Sequence, residues 1–290
     1  MSDRADNVIL VTGAGGQLGA AVVDACADAG LEAIGLGHAA FDVTDRGRVE
    51  SIVNKMRPHS VIHCAAWTAV DDAQEQREAA FAVNETGTRN VARAAEAVGA
   101  RFVTISTDYV FPGTDPAGVA EGDTPDPINV YGASKLASEI AAVEEAPAAL
   151  IARTAWLFAD HGGNFVRTML GLCAERESID VVDDQVGSPT YAPHLARALV
   201  HAVSDELTGV IHLAGEPSAT WFDVAVATVE AAGYSCGVRR TTSDKFPRPA
   251  ARPSCSILRV TRDDTPTVGD WREGVRKVVQ AYQRGPVSVF

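Results

Sequence analysis

The sequence predicts an α/β protein, with a doubly wound parallel sheet followed by a smaller α+β lobe. Short apolar runs alternate with amphipathic helical segments through residues 1–155, which is the pattern of βαβ units. The first run, Val8–Val11, is continuously apolar, as expected of a strand buried on both faces. The regular alternation ends after Trp156, so residues 156–290 are expected to form mainly the smaller lobe.

Apolar runs indicate the strands, and apolar residues at helical spacing indicate the helices. A helix is expected to begin at the cap-type residues Thr44 or Asp45 and to end before Pro58. The elements expected in the first half lie at 8–11, 17–29, 31–36, 44–56, 60–66, 74–98, 101–106, 131–145 and 149–154. Those in the second half lie at 164–175, 179–182, 191–203, 210–213, 220–232 and 270–282. Right-handed crossovers place helices on both sheet faces, and one or two late strands, at about 179–182 and 210–213, are expected to return to the main sheet.

The composition argues against nucleic-acid, membrane and metal-binding roles. The 290 residues carry 25 Lys and Arg against 38 Asp and Glu, a net charge of −13 that repels phosphate backbones. No window reaches the ~20 apolar residues that a membrane helix needs. No signal-peptide pattern precedes the first strand, so a cytoplasmic protein is expected. The five cysteines are far apart and lack zinc-site spacing, so no metal is expected.

Lysine is rare in this chain, which has 4 Lys against 21 Arg, and Asp outnumbers Glu by 22 to 16. Two explanations stay open. A GC-rich genome favours arginine codons, whereas a salt-rich cytoplasm favours acidic, lysine-poor surfaces.

A glycine-rich turn joins the first strand to the first helix. Its GxxGxxG pattern is formed by Gly13, Gly16 and Gly19. Glycines at these positions allow a tight turn and bring a pyrophosphate close to the N–H groups of a helix N-terminus. The order strand, turn, helix favours a Rossmann-like dinucleotide-binding domain over a plain glycine-rich turn.

The end of the second strand normally distinguishes NADH from NADPH. Gly35–His38 offers neither a carboxylate nor an arginine at the expected tip, so both cofactors stay open. Asp42 and Val43, a few residues later, are expected to line the adenine pocket.

A tyrosine, a lysine and a threonine form a candidate catalytic set. Tyr131 and Lys135 are spaced i, i+4 and lie on one face of a helix. A nearby ammonium favours the phenolate, so Lys135 is expected to lower the pKa of Tyr131, the candidate acid for a carbonyl oxygen. Thr107 follows a strand at its carboxyl end, where ligands bind in open α/β sheets.

These motifs together resemble an extended short-chain dehydrogenase/reductase, and more narrowly the dTDP-4-dehydrorhamnose reductase family. GxxGxxG and YxxxK are typical of the superfamily, whereas STDYVF and DDQVGSPT are typical of the narrower branch. The matching segments include TGAGGQLG (12–19), AAWTAVDDAQ (65–74), STDYVF (106–111), NVYGASKLASE (129–139) and VVDDQVGSPT (181–190).

The resemblance implies that Tyr131 donates the proton, that Lys135 binds the nicotinamide ribose, and that Thr107 completes the triad. It implies substrate contacts for Asp108 and Trp156, and the residues alone leave Arg252 open between a diphosphate contact and a brace of its own loop. The residues expected in the cofactor groove are Gly13, Gly16, Gln17, Leu18, Gly19, Asp42, Val43, Ala65, Ala66, Trp67, Tyr131 and Lys135.

The chain departs from the family pattern at several positions. His63 stands where the family usually has Asn, and Trp67 stands where it usually has Tyr. Some family members bind magnesium at a dimer interface through an acidic residue whose position is Ala21 here, so neither that metal nor that dimer is carried over, and a homodimer stays open. Asn84 is expected to hold neighbouring backbone rather than substrate.

The expected activity is NAD(P)H-dependent reduction of the C4 ketone of dTDP-4-dehydro-β-L-rhamnose, a small-molecule nucleotide sugar. A nucleotide-sugar 4-epimerase or another 4-ketoreductase would reuse the same triad. A 4,6-dehydratase is disfavoured because Tyr109 stands where the dehydratases have Glu. A non-catalytic alternative is a regulatory subunit that resembles the β subunit of methionine adenosyltransferase.

Overall fold

The computed structural model describes residues 8–285. Its strands are β1 (Ile9–Thr12), β2 (Ala33–Leu36), β3 (Ser60–His63), β4 (Arg101–Thr107), β5 (Leu150–Thr154), β6 (Leu157–Phe158), β7 (Ser178–Val182), β8 (Val186–Gly187), β9 (Thr190–Tyr191), β10 (Gly209–His212), β11 (Ala219–Thr220), β12 (Gly237–Thr241) and β13 (Cys255–Ser256). Its α-helices are α1 (Gln17–Asp28), α2 (Arg46–Met56), α3 (Val70–Glu75), α4 (Arg77–Phe81), α5 (Thr88–Ala97), α6 (Val130–Glu145), α7 (Phe165–Glu175), α8 (Ala192–Ser204), α9 (Trp221–Ala232) and α10 (Trp271–Gln283).

Six strands form a parallel sheet in the order β10-β5-β4-β3-β1-β2. Helices α1 and α8 cover one face, where Leu18 and Val22 pack with Leu195 and Leu199. Helices α2, α5 and α6 cover the other face. The predicted Rossmann-like, doubly wound α/β fold is confirmed.

One of the two late strands expected to return to this sheet does so. The strand expected at 210–213 is β10, which pairs with β5 at the sheet edge, and α8 packs against α1. The strand expected at 179–182 is β7, and it does not join the main sheet. It pairs instead with β12 in a separate two-stranded ribbon.

The smaller lobe is built around α7, α9 and α10. The indole of Trp271 is 1% exposed at the centre of its core, where Val224 and Val275 pack. Each of these helices begins with a side-chain cap: Asn164 for α7, Thr220 for α9 and Asp270 for α10. The caps explain why the sequence-based boundaries of these helices were close.

The sequence predicted one helix at 74–98, and this prediction is wrong. It consists of α3, α4, a π-helical turn at Ala82–Gly87, and α5. Gln76 leaves the helical region between α3 and α4, with φ −115° and ψ 52°. π-Helical turns recur at functional sites, and this one directs Asn84 toward the candidate site.

No helix within residues 8–285 is long and apolar enough to cross a membrane.

Candidate active site

Two adjoining cavities follow the carboxyl ends of β1, β3 and β4. One, of about 680 Å³, extends from the glycine turn toward the end of β2, and the other, of about 490 Å³, extends toward β4, α6 and the smaller lobe. Gly13, Gly16, Cys64 and Ala66 line both, so the two cavities form one bent groove. Ligands bind in doubly wound sheets at this edge, where the strand order reverses.

Most of the residues predicted from the sequence line this groove. The smaller cavity is lined by Gly13, Gly16, Gln17, Leu18, Gly19, Ala66, Thr107, Asp108, Tyr131 and Trp156. The larger cavity is lined by Gly13, Gly16, Asp42, Val43, Ala65, Ala66 and Trp67. Lys135 is buried beneath the groove, and Arg252 lies outside its lining.

The glycine turn packs against the loop that follows β3. Gly13 has φ +66°, and a Cβ there would lie 2.6 Å from the Ala65 nitrogen. A Cβ on Gly19 would collide with the Gly13 carbonyl oxygen, so both glycines are required by the protein itself. Gly15 differs, because a Cβ there would meet no atom within 4 Å. The N-terminus of α1 at Gly16 has no side-chain cap, so its N–H groups suit a pyrophosphate.

The far end of the larger cavity carries an acidic side chain. Asp42 Oδ1 accepts hydrogen bonds from the Thr44 backbone nitrogen at 2.9 Å and from the Thr44 hydroxyl at 2.8 Å. These bonds lower the pKa of Asp42, so it is ionised at neutral pH. The Arg48 guanidinium donates to the carbonyl oxygens of Ala39 and Ala40, and thus lies beneath the loop after β2.

Asn84 connects three parts of the site, as the sequence analysis expected. Its Oδ1 accepts from the Trp67 nitrogen at 2.8 Å, and its Nδ2 donates to the Trp67 carbonyl at 3.1 Å. The same Nδ2 donates to Ser134 Oγ at 2.8 Å, which lies on α6 between Tyr131 and Lys135. The prediction that Asn84 holds neighbouring backbone is confirmed.

Thr107, Asp108 and Tyr131 lie together in the smaller cavity. Thr107 Oγ1 donates to Asp108 Oδ1 at 2.9 Å and accepts from the Tyr109 nitrogen at 3.3 Å. Tyr131 packs edge-on against Tyr109, with ring centroids 5.6 Å apart. The side chain of Asn129 caps α6 by accepting from the Gly132 nitrogen at 2.8 Å, which fixes the first turn that carries Tyr131.

The expected effect of Lys135 on Tyr131 is wrong in this structure. The pKa of Tyr131 is raised to about 12, chiefly by burial and also by the charge of Asp108, and only Thr107 lowers it. Lys135 is 3% exposed, and burial lowers its pKa to about 8, while Glu139 opposes that shift. Within the described chain the Lys135 ammonium has no hydrogen-bond partner, so it suits the ribose of a dinucleotide.

Trp156 forms a parallel stack with Trp221, the first residue of α9. The two ring centroids are 3.6 Å apart and the rings are inclined by 2°. A Cβ on Gly187 would collide with the Trp156 indole, so the ring is enclosed on that side as well. Trp156 also has φ +47°, a backbone conformation that is strained for a bulky residue. The expected stacking platform is therefore occupied by a protein side chain in this structure.

Arg252 forms a bidentate ion pair with Asp71. Its Nη1 donates to Oδ1 at 2.8 Å, its Nη2 donates to Oδ2 at 2.9 Å, and Nη1 also donates to the Ala250 carbonyl. The pair lowers the pKa of Asp71. Arg252 thus braces the loop at 248–252, and three of its five N–H donors are used.

Gln17 connects the two lobes. Its Nε2 donates to the Gly163 carbonyl at 3.0 Å, and its Oε1 accepts from Asn164 Nδ2 at 3.2 Å. Gln17, which was expected to line the cofactor groove, therefore also links α1 to the start of α7 through hydrogen bonds.

Gly15, Tyr109 and Trp221 are among the groove residues that sequence reasoning missed. Gly15 lies within the glycine turn but is not one of the three GxxGxxG glycines. Only the structure identifies it as a groove residue, because a Cβ there would meet open space. Tyr109 lies in the STDYVF segment next to a predicted residue. Trp221 is 65 residues from Trp156 in the chain, and no sequence signal joins the two.

His63 is buried under the site, 2% exposed. Its Nδ1 lies 2.7 Å from Thr12 Oγ1, which accepts a hydrogen bond from the Ala65 nitrogen. The tautomer of His63 decides which of the two groups donates, and Nε2 has no partner among the described residues. Burial and the nearby Lys135 lower the pKa of His63 to about 3.

Comparisons with known proteins agree with this arrangement. Residues 7–284 match the family model described as "RmlD substrate binding domain". A dTDP-4-dehydrorhamnose reductase of Mycolicibacterium smegmatis is 42% identical, over 94% of this chain and 85% of the relative. A dTDP-4-keto-6-deoxy-D-glucose reductase of Streptomyces niveus is 39% identical, over 86% of this chain and 87% of the relative.

Among solved structures, a dTDP-4-dehydrorhamnose reductase of Bacillus anthracis in complex with NADP superposes with a TM-score of 0.91. It is 38% identical, and the match covers 94% of this chain and 98% of that one. The resemblance predicted from the motifs is confirmed, and the chain belongs to the RmlD substrate binding domain family.

Proposed function

We propose that the chain is an NAD(P)H-dependent reductase that converts the C4 ketone of dTDP-4-dehydro-β-L-rhamnose into the alcohol of dTDP-β-L-rhamnose. The single observation that carries this proposal is the position of Tyr131 and Thr107 in one bent groove with the glycine turn. A proton donor at one end and a dinucleotide cradle at the other suit reduction of a carbonyl group.

The groups that would hold NADPH or NADH are the glycine turn, the loop after β3, and Lys135. Their fit rests on the open space at Gly15, the uncapped N-terminus of α1 and the unpartnered Lys135 ammonium. When bound, the reduced nicotinamide supplies the hydride. Asp42 and Val43 are proposed to line the adenine pocket. The Bacillus anthracis structure, which is in complex with NADP, supports a dinucleotide as the cofactor.

In the proposed reaction, Tyr131 transfers its phenolic proton to the sugar O4, and Thr107 orients that oxygen. The raised pKa of Tyr131 keeps the phenol protonated at neutral pH, which is the form a proton donor needs. Asp108 and Trp156 are proposed to contact the sugar. Arg252 is proposed to meet the diphosphate with the two N–H donors that Asp71 and Ala250 leave free.

The two parts of the chain are proposed to divide the work, with residues 1–155 holding the dinucleotide and residues 156–290 holding mainly the nucleotide sugar. The protein is proposed to act in the cytoplasm on this small molecule, without nucleic acid or membrane, and either as a monomer or as a homodimer.

The test is NADPH and NADH oxidation with a panel of 4-keto sugar nucleotides, followed by identification of each product. Rapid oxidation with dTDP-4-dehydro-β-L-rhamnose and formation of dTDP-β-L-rhamnose are expected. If dTDP-4-keto-6-deoxy-D-glucose is turned over faster than dTDP-4-dehydro-β-L-rhamnose, the substrate is instead the one in the name of the Streptomyces relative. Sugar interconversion without net NADPH oxidation would indicate an epimerase, and no turnover of any member would favour the regulatory alternative.

A further inference from the structure

Asp71 holds a loop from the second half of the chain against the start of α3. Its Oδ1 accepts from Arg252 Nη1 at 2.8 Å and from the Ala250 nitrogen at 3.2 Å. Its Oδ2 accepts from Arg252 Nη2 at 2.9 Å and from Arg248 Nη1 at 3.4 Å. One carboxylate thus receives four hydrogen bonds from residues 248–252. Bidentate pairing with a carboxylate fixes the orientation of a guanidinium as well as its position.

The loop at 248–252 lies beside the smaller cavity of the groove. Asp71 directly follows Val70, which lines that cavity. Asn129 Nδ2 donates to the Ala251 carbonyl at 2.9 Å, and Asn129 also caps α6. The two side chains of the ion pair remain 24% and 18% exposed, so a ligand in the groove is able to contact them.

The ion pair uses the end of the Arg252 guanidinium and leaves one of its edges free. Nη1 and Nη2 each donate one hydrogen to Asp71, and the second hydrogen of Nη1 is donated to the Ala250 carbonyl at 2.7 Å. The two remaining donors are the Nε hydrogen and the second Nη2 hydrogen, which lie parallel on one edge. Neither has a hydrogen-bond partner among residues 8–285. Two parallel N–H donors match two oxygens of a phosphate group.

Other arginines of the chain pair with carboxylates through that edge instead. Arg153 donates from Nε and Nη2 to Glu139, and Arg262 donates from the same two nitrogens to Asp264. Arg262 also donates from Nη1 to two backbone carbonyls. These pairs consume the edge that suits an oxyanion, whereas the pair with Asp71 preserves it.

We propose that Asp71 is a positioning residue for the nucleotide sugar, because it holds Arg252 so that the free edge of the guanidinium binds a phosphate of the diphosphate. This inference rests on the function proposed above, which assigns Arg252 to the diphosphate and gives Asp71 no role. Without the carboxylate the guanidinium is free to rotate, and substrate binding must then order it, which weakens that binding. The diphosphate takes no part in the chemistry at C4, so the weakening raises KM and leaves kcat unchanged.

The test is steady-state kinetics of Asp71→Asn with NADPH and dTDP-4-dehydro-β-L-rhamnose, together with calorimetric titration of dTDP. The KM for the sugar nucleotide and the Kd for dTDP should each rise about tenfold, the lower end of what one hydrogen bond to a charged group contributes. The kcat and the Kd for NADPH should stay near the parent values. Asp264→Asn is the matched control, because it breaks the bidentate pair with Arg262 outside the groove and should change none of these constants.

An Arg252→Lys background shows whether Asp71 acts through Arg252. Lysine has no fork of donors for a carboxylate to orient, so Arg252→Lys alone should raise the Kd for dTDP. Adding Asp71→Asn to that variant should raise the Kd no further, since the two residues act as one unit.

Parent-like KM and dTDP affinity in a folded Asp71→Asn, or an effect of equal size in the Arg252→Lys background, would overturn the inference. If Asp71→Asn does not fold, Arg252→Lys alone decides, and parent-like dTDP binding in that variant would overturn the inference as well. An inactive parent whose dTDP binding still depends on Asp71 would overturn the proposed function alone, since the titration needs no turnover.

Discussion

Replacing His63 by Asn, the residue usual in the family, is expected to remove part of the protein's sensitivity to acid. Burial and Lys135 lower the pKa of His63 from 6.5 to about 3. Between these values the unfolded chain binds a proton on this residue and the folded chain does not. The stability that a neutral His63 allows is therefore fully present above pH 6.5 and is lost as the pH falls toward 3.

The magnitude follows from the width of this window. Each pH unit within it costs ~1.4 kcal/mol of unfolding free energy, so acidification from pH 6.5 to 5 costs roughly 2 kcal/mol through His63 alone. Between pH 6.5 and 5, His63→Asn should therefore lose roughly 2 kcal/mol less unfolding free energy than the parent protein. An Asn side chain has both a donor and an acceptor, so it is able to pair with the Thr12 hydroxyl that now pairs with Nδ1.

The assay is urea unfolding at several pH values between 7 and 5, for the parent, His63→Asn and the control His161→Asn. The imidazole of His161 is exposed, so its removal should leave the parent's slope unchanged. Equal slopes of unfolding free energy against pH in all three proteins would refute the assignment of this acid sensitivity to a buried, neutral His63.

Three further substitutions and one change of solvent test the rest of the account. Tyr131→Phe should lower turnover by ~10²–10⁴-fold while NADPH binding, measured by calorimetry, stays near the parent value; normal turnover would remove Tyr131 from the mechanism. Gly15→Val should weaken NADPH binding without lowering the melting temperature, because a Cβ there meets only open space. NADPH binding equal to that of the parent would mean that the pyrophosphate lies elsewhere. Lys135→Met should raise the Kd for NADPH, and an unchanged Kd would contradict a ribose contact. Melting temperature should rise from low salt into molar KCl, because salt screens the net charge of −13; a flat or falling midpoint, beside a non-ionic osmolyte control, would favour genome composition as the cause of the lysine scarcity.

Local signals were sufficient for much of the fold. The glycine turn, the apolar strands and the helix caps at Asp45, Asn164 and Thr220 each depend on neighbouring residues, and each lies where the sequence predicted. The prediction of a single helix at 74–98 is wrong because packing sets both the break at Gln76 and the π-helical turn. A Cβ on Gly87 would lie 2.6 Å from Val43, which is distant in sequence.

The site shows the same division between local and distant effects. The sequence put Tyr131 and Lys135 on one helix, and both lie on α6. It gave the wrong direction for the pKa of Tyr131, because burial is the largest cause of the shift and raises that pKa. The Arg252–Asp71 ion pair and the Trp156–Trp221 stack join residues far apart in the chain. Such contacts follow only from the folded arrangement of both lobes.

The most direct test of the central claim is the fate of deuterium from NADPH labelled at C4 of the nicotinamide. The parent enzyme, given the labelled cofactor and dTDP-4-dehydro-β-L-rhamnose, should form dTDP-β-L-rhamnose with one deuterium at C4 of the sugar, as read by NMR and mass spectrometry. Tyr131→Phe should form that product only at the reduced rate given above. Deuterium at another carbon, or product without deuterium, would contradict a C4 ketone reductase.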